Sequence, residues 1–108
     1  TGSIYEEKIA AFLKQNGFLI LERNYRCKQG EIDIIARDGR YLVFIEVKFR
    51  ATGSTGFSLE AIDHRKAVRI RNAALYYLFS HRLSEETPCR FDAAGIDGET
   101  ITYIKNAF

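Results

Sequence analysis

Two apolar runs carry acids at alternate positions: Gly30-Glu31-Ile32-Asp33-Ile34-Ile35-Ala36, and then Leu42-Val43-Phe44-Ile45-Glu46-Val47-Lys48. In an extended chain, positions i and i+2 face the same way. Glu31 and Asp33 are therefore predicted to share a face, as are Glu46 and Lys48. If the two runs pair as strands, three carboxylates and one ammonium converge on one patch of a sheet. Charges among apolar neighbours need partners, and a divalent cation such as Mg²⁺ is one. It takes oxygen ligands: carboxylates, water and substrate phosphate. Asp33 and Glu46 are the candidate ligands, with the Val47 carbonyl as a further oxygen. Lys48 would stand beside a bound water, where an ammonium can orient it, help deprotonate it and balance charge growing on a phosphate. An acid followed by acid-x-lysine is a minimal set for metal-assisted phosphodiester hydrolysis. The same residues also fit cross-strand ion pairs on a solvated face, each contributing about 0.2–1 kcal/mol. Apolar flanks and an excess of negative charge speak for the metal; the residues alone leave both readings open.

Two other charges bear on this patch. Glu6 follows Ser3 at capping-box spacing, yet it also lies on the edge of the stripe formed by Ile9 and Leu13, from which it can reach a sheet. Cap and metal ligand are both open to it. Lys66 falls between Ile62 and Ile70 at four-residue spacing, inside an apolar stripe. A lysine there snorkels to solvent or reaches over a sheet edge toward a phosphate. Tyr76, Tyr77 and Phe79 read as core and helix-surface residues ahead of base-stacking platforms. Cys27 and Cys89 read as small packing residues. No phosphate-cradling glycine loop and no dinucleotide fingerprint is present.

The elements that must position these residues are legible from period and punctuation. Ser3 to about Gln15 reads as a helix capped by Ser3 and stopped by Gly17. Phe18–Tyr25 reads as a strand. Glu31–Arg37 and Tyr41–Arg50 read as two strands joined by a tight turn at Asp38-Gly39. Residues 51–57 read as a loop, and Ser58 to about His81 as a long helix. Residues 82–88 read as a loop, and Arg90–Ile96 and Thr100–Ile104 as two strands around Asp97-Gly98. The order αβββαββ predicts an α/β sandwich with a mixed sheet.

A length of 108 residues predicts a single domain, 1–108. No apolar run reaches a membrane span and no segment has the order of a signal peptide. Two separated cysteines fit reduced thiols in a cytoplasm, and with two histidines they make a structural zinc site a poor fit. A net charge of +2 is too small to argue for nucleic acid by itself. The cluster His64, Arg65, Lys66, Arg69 and Arg71 says more, although a solvated helix face explains it equally.

Taken together the motifs resemble the YraN-like family of small bacterial proteins in the restriction-endonuclease-like, PD-(D/E)xK, superfamily. The blocks are Gly2 with Glu6, Asn24-Tyr25-Arg26-Cys27 with Gly30-Glu31-Ile32-Asp33, Val43 to Arg50, Cys89-Arg90-Phe91-Asp92, and Ile104 to Phe108, which span nearly the whole chain. The resemblance implies an αβββαβ core with a central mixed sheet flanked by helices, and metal-dependent cleavage of nucleic acid, DNA above all, with Mg²⁺ or Mn²⁺. By position, Asp33 and Glu46 would be metal ligands and Lys48 the catalytic lysine. Glu6 would match the helix-borne acid of archaeal-type Holliday junction resolvases, and Glu31 would be a site residue without a settled role. Ile32 stands where the superfamily has proline, which removes no ligand. Arg50, Arg65, Lys66 and Arg69, with the 51–57 loop, would hold the nucleic-acid backbone. So small a domain would cut a duplex or junction as a homodimer. A non-catalytic nucleic-acid-binding or adaptor domain of the same fold, and an interaction protein whose acids form ion pairs, are the alternatives.

Overall fold

The computed structural model describes residues 3–50 and 64–108. The order is α1 (Ser3–Gln15), β1 (Leu19–Cys27), β2 (Gly30–Asp38), β3 (Tyr41–Arg50), α2 (His64–Ser80), β4 (Cys89–Asp97) and β5 (Thr100–Ile104). The strands form one sheet in the order β1-β2-β3-β4-β5. All neighbours are antiparallel except β3 and β4, which run parallel across the α2 connection. This is the expected α/β architecture with a mixed sheet. β3 and β5 have their predicted bounds, while β1, β2 and β4 run past their predicted ends: β1 runs on to Cys27, because Lys28-Gln29 makes a tight turn into Gly30. The predicted start of α2 at Ser58 and the 51–57 loop lie outside the described residues. No described helix is long and apolar enough to cross a membrane.

The sheet is covered on both faces, which explains why β2 to β4 read as nearly continuous apolar runs. On one face Ile9 and Leu13 of α1 pack with Ile34, Val43, Ile45 and Val47. On the other, Ile70, Ala73, Tyr77 and Leu78 of α2 pack with Ile32, Ile35, Leu42 and Phe44.

One irregularity decides how the site is built. Ile32 belongs to the α2 side and Ile34 to the α1 side, although regular alternation would put them together. Between the paired residues Arg23–Ile34 and Tyr25–Ile32, Asn24 stands opposite Asp33. Asn24 has φ of 54°, a left-handed conformation that asparagine tolerates better than most residues. The hairpin therefore turns over at this point.

Candidate metal and nucleic-acid site

The ladder between β2 and β3 ends at Ile34–Ile45. One step further, the strands diverge and Asp33 faces Glu46. The Asp33 Oδ2 atom takes over for the missing ladder, accepting the Val47 N–H at 2.8 Å. Glu46 is 3% exposed. Its neighbours Ile45 and Val47 belong to the α1-side core, so Glu46 itself points toward α2. Lys48 lies on the same side by alternation and is half-buried. From α2, the Lys66 ammonium makes an ion pair with Glu46 Oε2. The lysine does not snorkel free; it answers a buried carboxylate, which is costly without a counter-charge.

The electrostatics are those of a crowded site. Burial, reinforced by the adjacent Glu46 carboxylate, pushes the Asp33 carboxyl up to about 7, against the pull of the Val47 N–H and Lys66. Two carboxylates stand side by side, with the half-exposed Lys66 ammonium and the half-buried Lys48 as the nearby cations. All the donors are hard oxygens, the set that Mg²⁺ or Mn²⁺ takes with one or two carboxylates. The residues present therefore fit such an ion. Asp33, Glu46 and the Val47 carbonyl would hold it.

The structure brings together Asp33, Glu46, Lys48 and Lys66, and it corrects the larger convergence. Glu31 is exposed and pairs with Arg26 at 2.7 Å. The turnover at Asp33 breaks the i, i+2 rule that had put both acids on one patch. Glu6 lies on α1, which covers the opposite face of the sheet, and it stands in the field of Arg23. Among the described residues no three acids, histidines or cysteines gather into a ligand group, so neither Glu6 nor Glu31 joins Asp33 and Glu46. Arg65 and Arg69 are exposed on α2, close in sequence to Lys66. The Arg50 side chain lies outside the described residues.

A second charged cluster carries the same sequence signal, two charges at i and i+2 in an apolar strand. Arg90 and Asp92 are both buried in β4. Arg90 Nε donates to both Asp92 oxygens at 3.0 Å, and its Nη2 reaches Asp38 at 2.9 Å. Tyr103 Oη and the Asn106 N–H also donate to Asp92. Burial works against the Arg90 charge, but the two carboxylates prevail and hold the guanidinium above its ordinary range. Arg90 stacks over Phe18 and Tyr41, on the α1 side. This cluster ties β4, β5 and the chain after β5 together, and it stands across the sheet from Asp33 and Glu46. Cys27 and Cys89 are unpaired, half-buried thiols.

Comparison with known proteins gives a family without an assigned activity. The profile described as uncharacterised protein family UPF0102 matches residues 5–96. A UPF0102 protein of Lachnoclostridium phytofermentans is 52% identical over 107 residues, covering 99% of this chain and 91% of the relative. One from Legionella pneumophila (strain Corby) is 41% identical, covering 99% and 92%. One from Moorella thermoacetica is 47% identical over 95 residues, covering 88% and 78%.

Proposed function

We propose that this chain, which belongs to the uncharacterised protein family UPF0102, is a metal-dependent nuclease that hydrolyses phosphodiester bonds in DNA. The observation that carries the reading is the buried pair Asp33–Glu46, set where β2 and β3 part, with Lys48 two residues on. The order αβββαββ with this acid, acid-x-lysine set supports placement in the restriction-endonuclease-like superfamily.

A bound Mg²⁺ or Mn²⁺ would polarise the phosphoryl oxygen and acidify a water. The chain's own residues do the rest. Val47 N–H fixes the Asp33 carboxylate toward Glu46. Lys48 holds the attacking water in line and balances charge on the phosphate. Lys66 leaves Glu46 for a phosphate oxygen as substrate arrives, exchanging one anionic partner for another. Arg65 and Arg69 grip the neighbouring backbone.

Cleavage of linear, single-stranded, flap and four-way-junction DNAs with Mn²⁺ tests this. Wild type should cut at least one form, and Lys48→Ala should cut none. Failure to cut together with failure to bind Mn²⁺ overturns it. A second reading has its own observation: the Lys66 ammonium pairs with Glu46, which fits a non-catalytic nucleic-acid-binding domain in which that carboxylate is a structural ion pair. It predicts nucleic-acid binding with no Mn²⁺-induced rise in melting temperature.

A further inference from the structure

Helix α2 is apolar on two sides. Ile70, Ala73, Ala74, Tyr77 and Leu78 face the sheet and are buried. Leu75, Tyr76 and Phe79 face away, Phe79 at 78% exposure. A helix apolar on both sides has a second surface to cover. The outward side is also ordered along its length. Arg65, Arg69, Asn72, Tyr76 and Phe79 recur at alternating spacings of four and three, so they stand in one row. The row starts beside Lys66, the partner of Glu46. It ends about 21 Å further on, at the Tyr76 and Phe79 rings, whose centroids are 6.4 Å apart.

An open groove of about 920 Å³ runs beside the aromatic end, lined by Asn72, Tyr76, Phe79, Arg82 and, from the β1–β2 turn, Gln29. Arg26, just before that turn, and Lys28, within it, are exposed. The turn is held against the helix: a Cβ on Gly30 would come 3.3 Å from Arg69 Cβ and 3.4 Å from its carbonyl oxygen. From His64 to Ser80, α2 carries the cations Arg65, Lys66, Arg69 and Arg71 and no carboxylate.

We propose that this row and groove form a track for single-stranded nucleic acid. The cations hold phosphates leading away from Asp33 and Glu46, and Tyr76 and Phe79 stack on unpaired bases. Cations followed by exposed aromatics are the combination that single strands take, and a duplex hides the base faces the rings need. A second copy of the chain fits less well, because two α2 helices face to face would oppose their own cations, with Glu85 as the acid in the groove wall. The proposal deepens the nucleic-acid reading above; it rests on that reading for the class of polymer and not for catalysis.

The test is fluorescence anisotropy with a labelled oligo-dT of about 15 nucleotides and a duplex of equal length, in chelator so that nothing is cut. Phe79→Ala and Tyr76→Ala should each weaken single-strand binding about 5- to 100-fold and duplex binding much less. Tyr76→Phe should bind as wild type. Phe79→Ala should leave the salt dependence unchanged, whereas Arg69→Ala should flatten the slope by about 0.7. Single-strand affinity unaltered by both alanine variants overturns the track. So does a wild-type dimer in sedimentation that Phe79→Ala dissociates, which would give the row to a second copy. Wild type that neither cuts nor binds Mn²⁺ but keeps its aromatic-dependent single-strand affinity sinks the nuclease alone; Lys48-dependent cutting with single-strand affinity unaltered by both alanine variants sinks the track alone.

Discussion

Asp33 is where one side chain's environment is most legible in a measurement. Its carboxyl is raised to about 7 in the folded protein by burial and by Glu46, and it returns to its ordinary value when the chain unfolds. Between those two values the folded state holds a proton that the unfolded state has lost. That stabilisation is complete below the ordinary carboxylate range and is lost as pH rises to about 7. Without divalent metal, the melting temperature should fall as pH rises from about 5 to about 7.5. Mn²⁺ should restore more at the upper end, because the ion replaces the proton. Thermal melts at both pH values, with and without Mn²⁺, check this; an Mn²⁺ effect equal at both ends would contradict it. Lys66 gives a second measurement. Lys66→Ala strands the buried Glu46, and with the ammonium itself half-exposed the cost should be about 2–3 kcal/mol, at or below the low end for a buried pair. It should vanish in the Glu46→Gln background, read as the non-additivity of a double-mutant cycle.

At the scale of elements, period and turn chemistry carried far. Helix α1 and strands β3 and β5 fall where Ser3, Gly39 and Gly98 punctuate them. The pairing of Asp33 with Glu46 followed from two adjacent strands. What failed was any step that needed the hairpin to stay regular or a helix to choose a face. Glu31 left the patch because the chain turns over between Ile32 and Ile34, and nothing in Asn24 announces that as a sequence. Glu6 left it because α1 covers the opposite face, and an amphipathic stripe does not say which face it will cover. Arg90 and Asp92 had the same i, i+2 signal as Glu46 and Lys48; alternation cannot separate a structural ion pair from a reactive one. Tyr76, Tyr77 and Phe79 fall where they were expected, Tyr77 in the core and Tyr76 and Phe79 on the helix surface. Gly30 is the element-scale test of the hairpin docking. Alanine there must push against the Arg69 backbone. Gly30→Ala should destabilise by about 1–3 kcal/mol, seen as a lower urea midpoint with an unchanged m-value, and a midpoint equal to wild type would show that the turn is not pressed on α2.

Across the whole molecule, the sheet separates two charged clusters that differ in how they are satisfied. On the α1 side, Asp92 is fully buried and accepts from Arg90, Tyr103 and the Asn106 N–H. Its charge is answered, and its partners come from three parts of the chain. On the α2 side, Asp33 has one backbone donor and a like-charged neighbour, so the fold bears a local penalty that a ligand would relieve. Aspartate-to-asparagine substitutions should therefore act in opposite directions on the two faces. Asp92→Asn leaves the Arg90 guanidinium with Asp38 alone and weakens the acceptor that Tyr103 and the Asn106 N–H share, and should cost about 3 kcal/mol, a large part of the stability of a domain this size. Asp33→Asn can still accept the Val47 N–H and removes the repulsion with Glu46, so at pH 8 without metal it should raise the melting temperature. It should also abolish the Mn²⁺ response, while Asp92→Asn should retain it on whatever folded protein remains. Melts of the two variants at pH 8 decide the matter. If Asp33→Asn destabilises as Asp92→Asn does, the Asp33–Glu46 pair is structural glue, and the α2 face has no strained site for a metal to relieve.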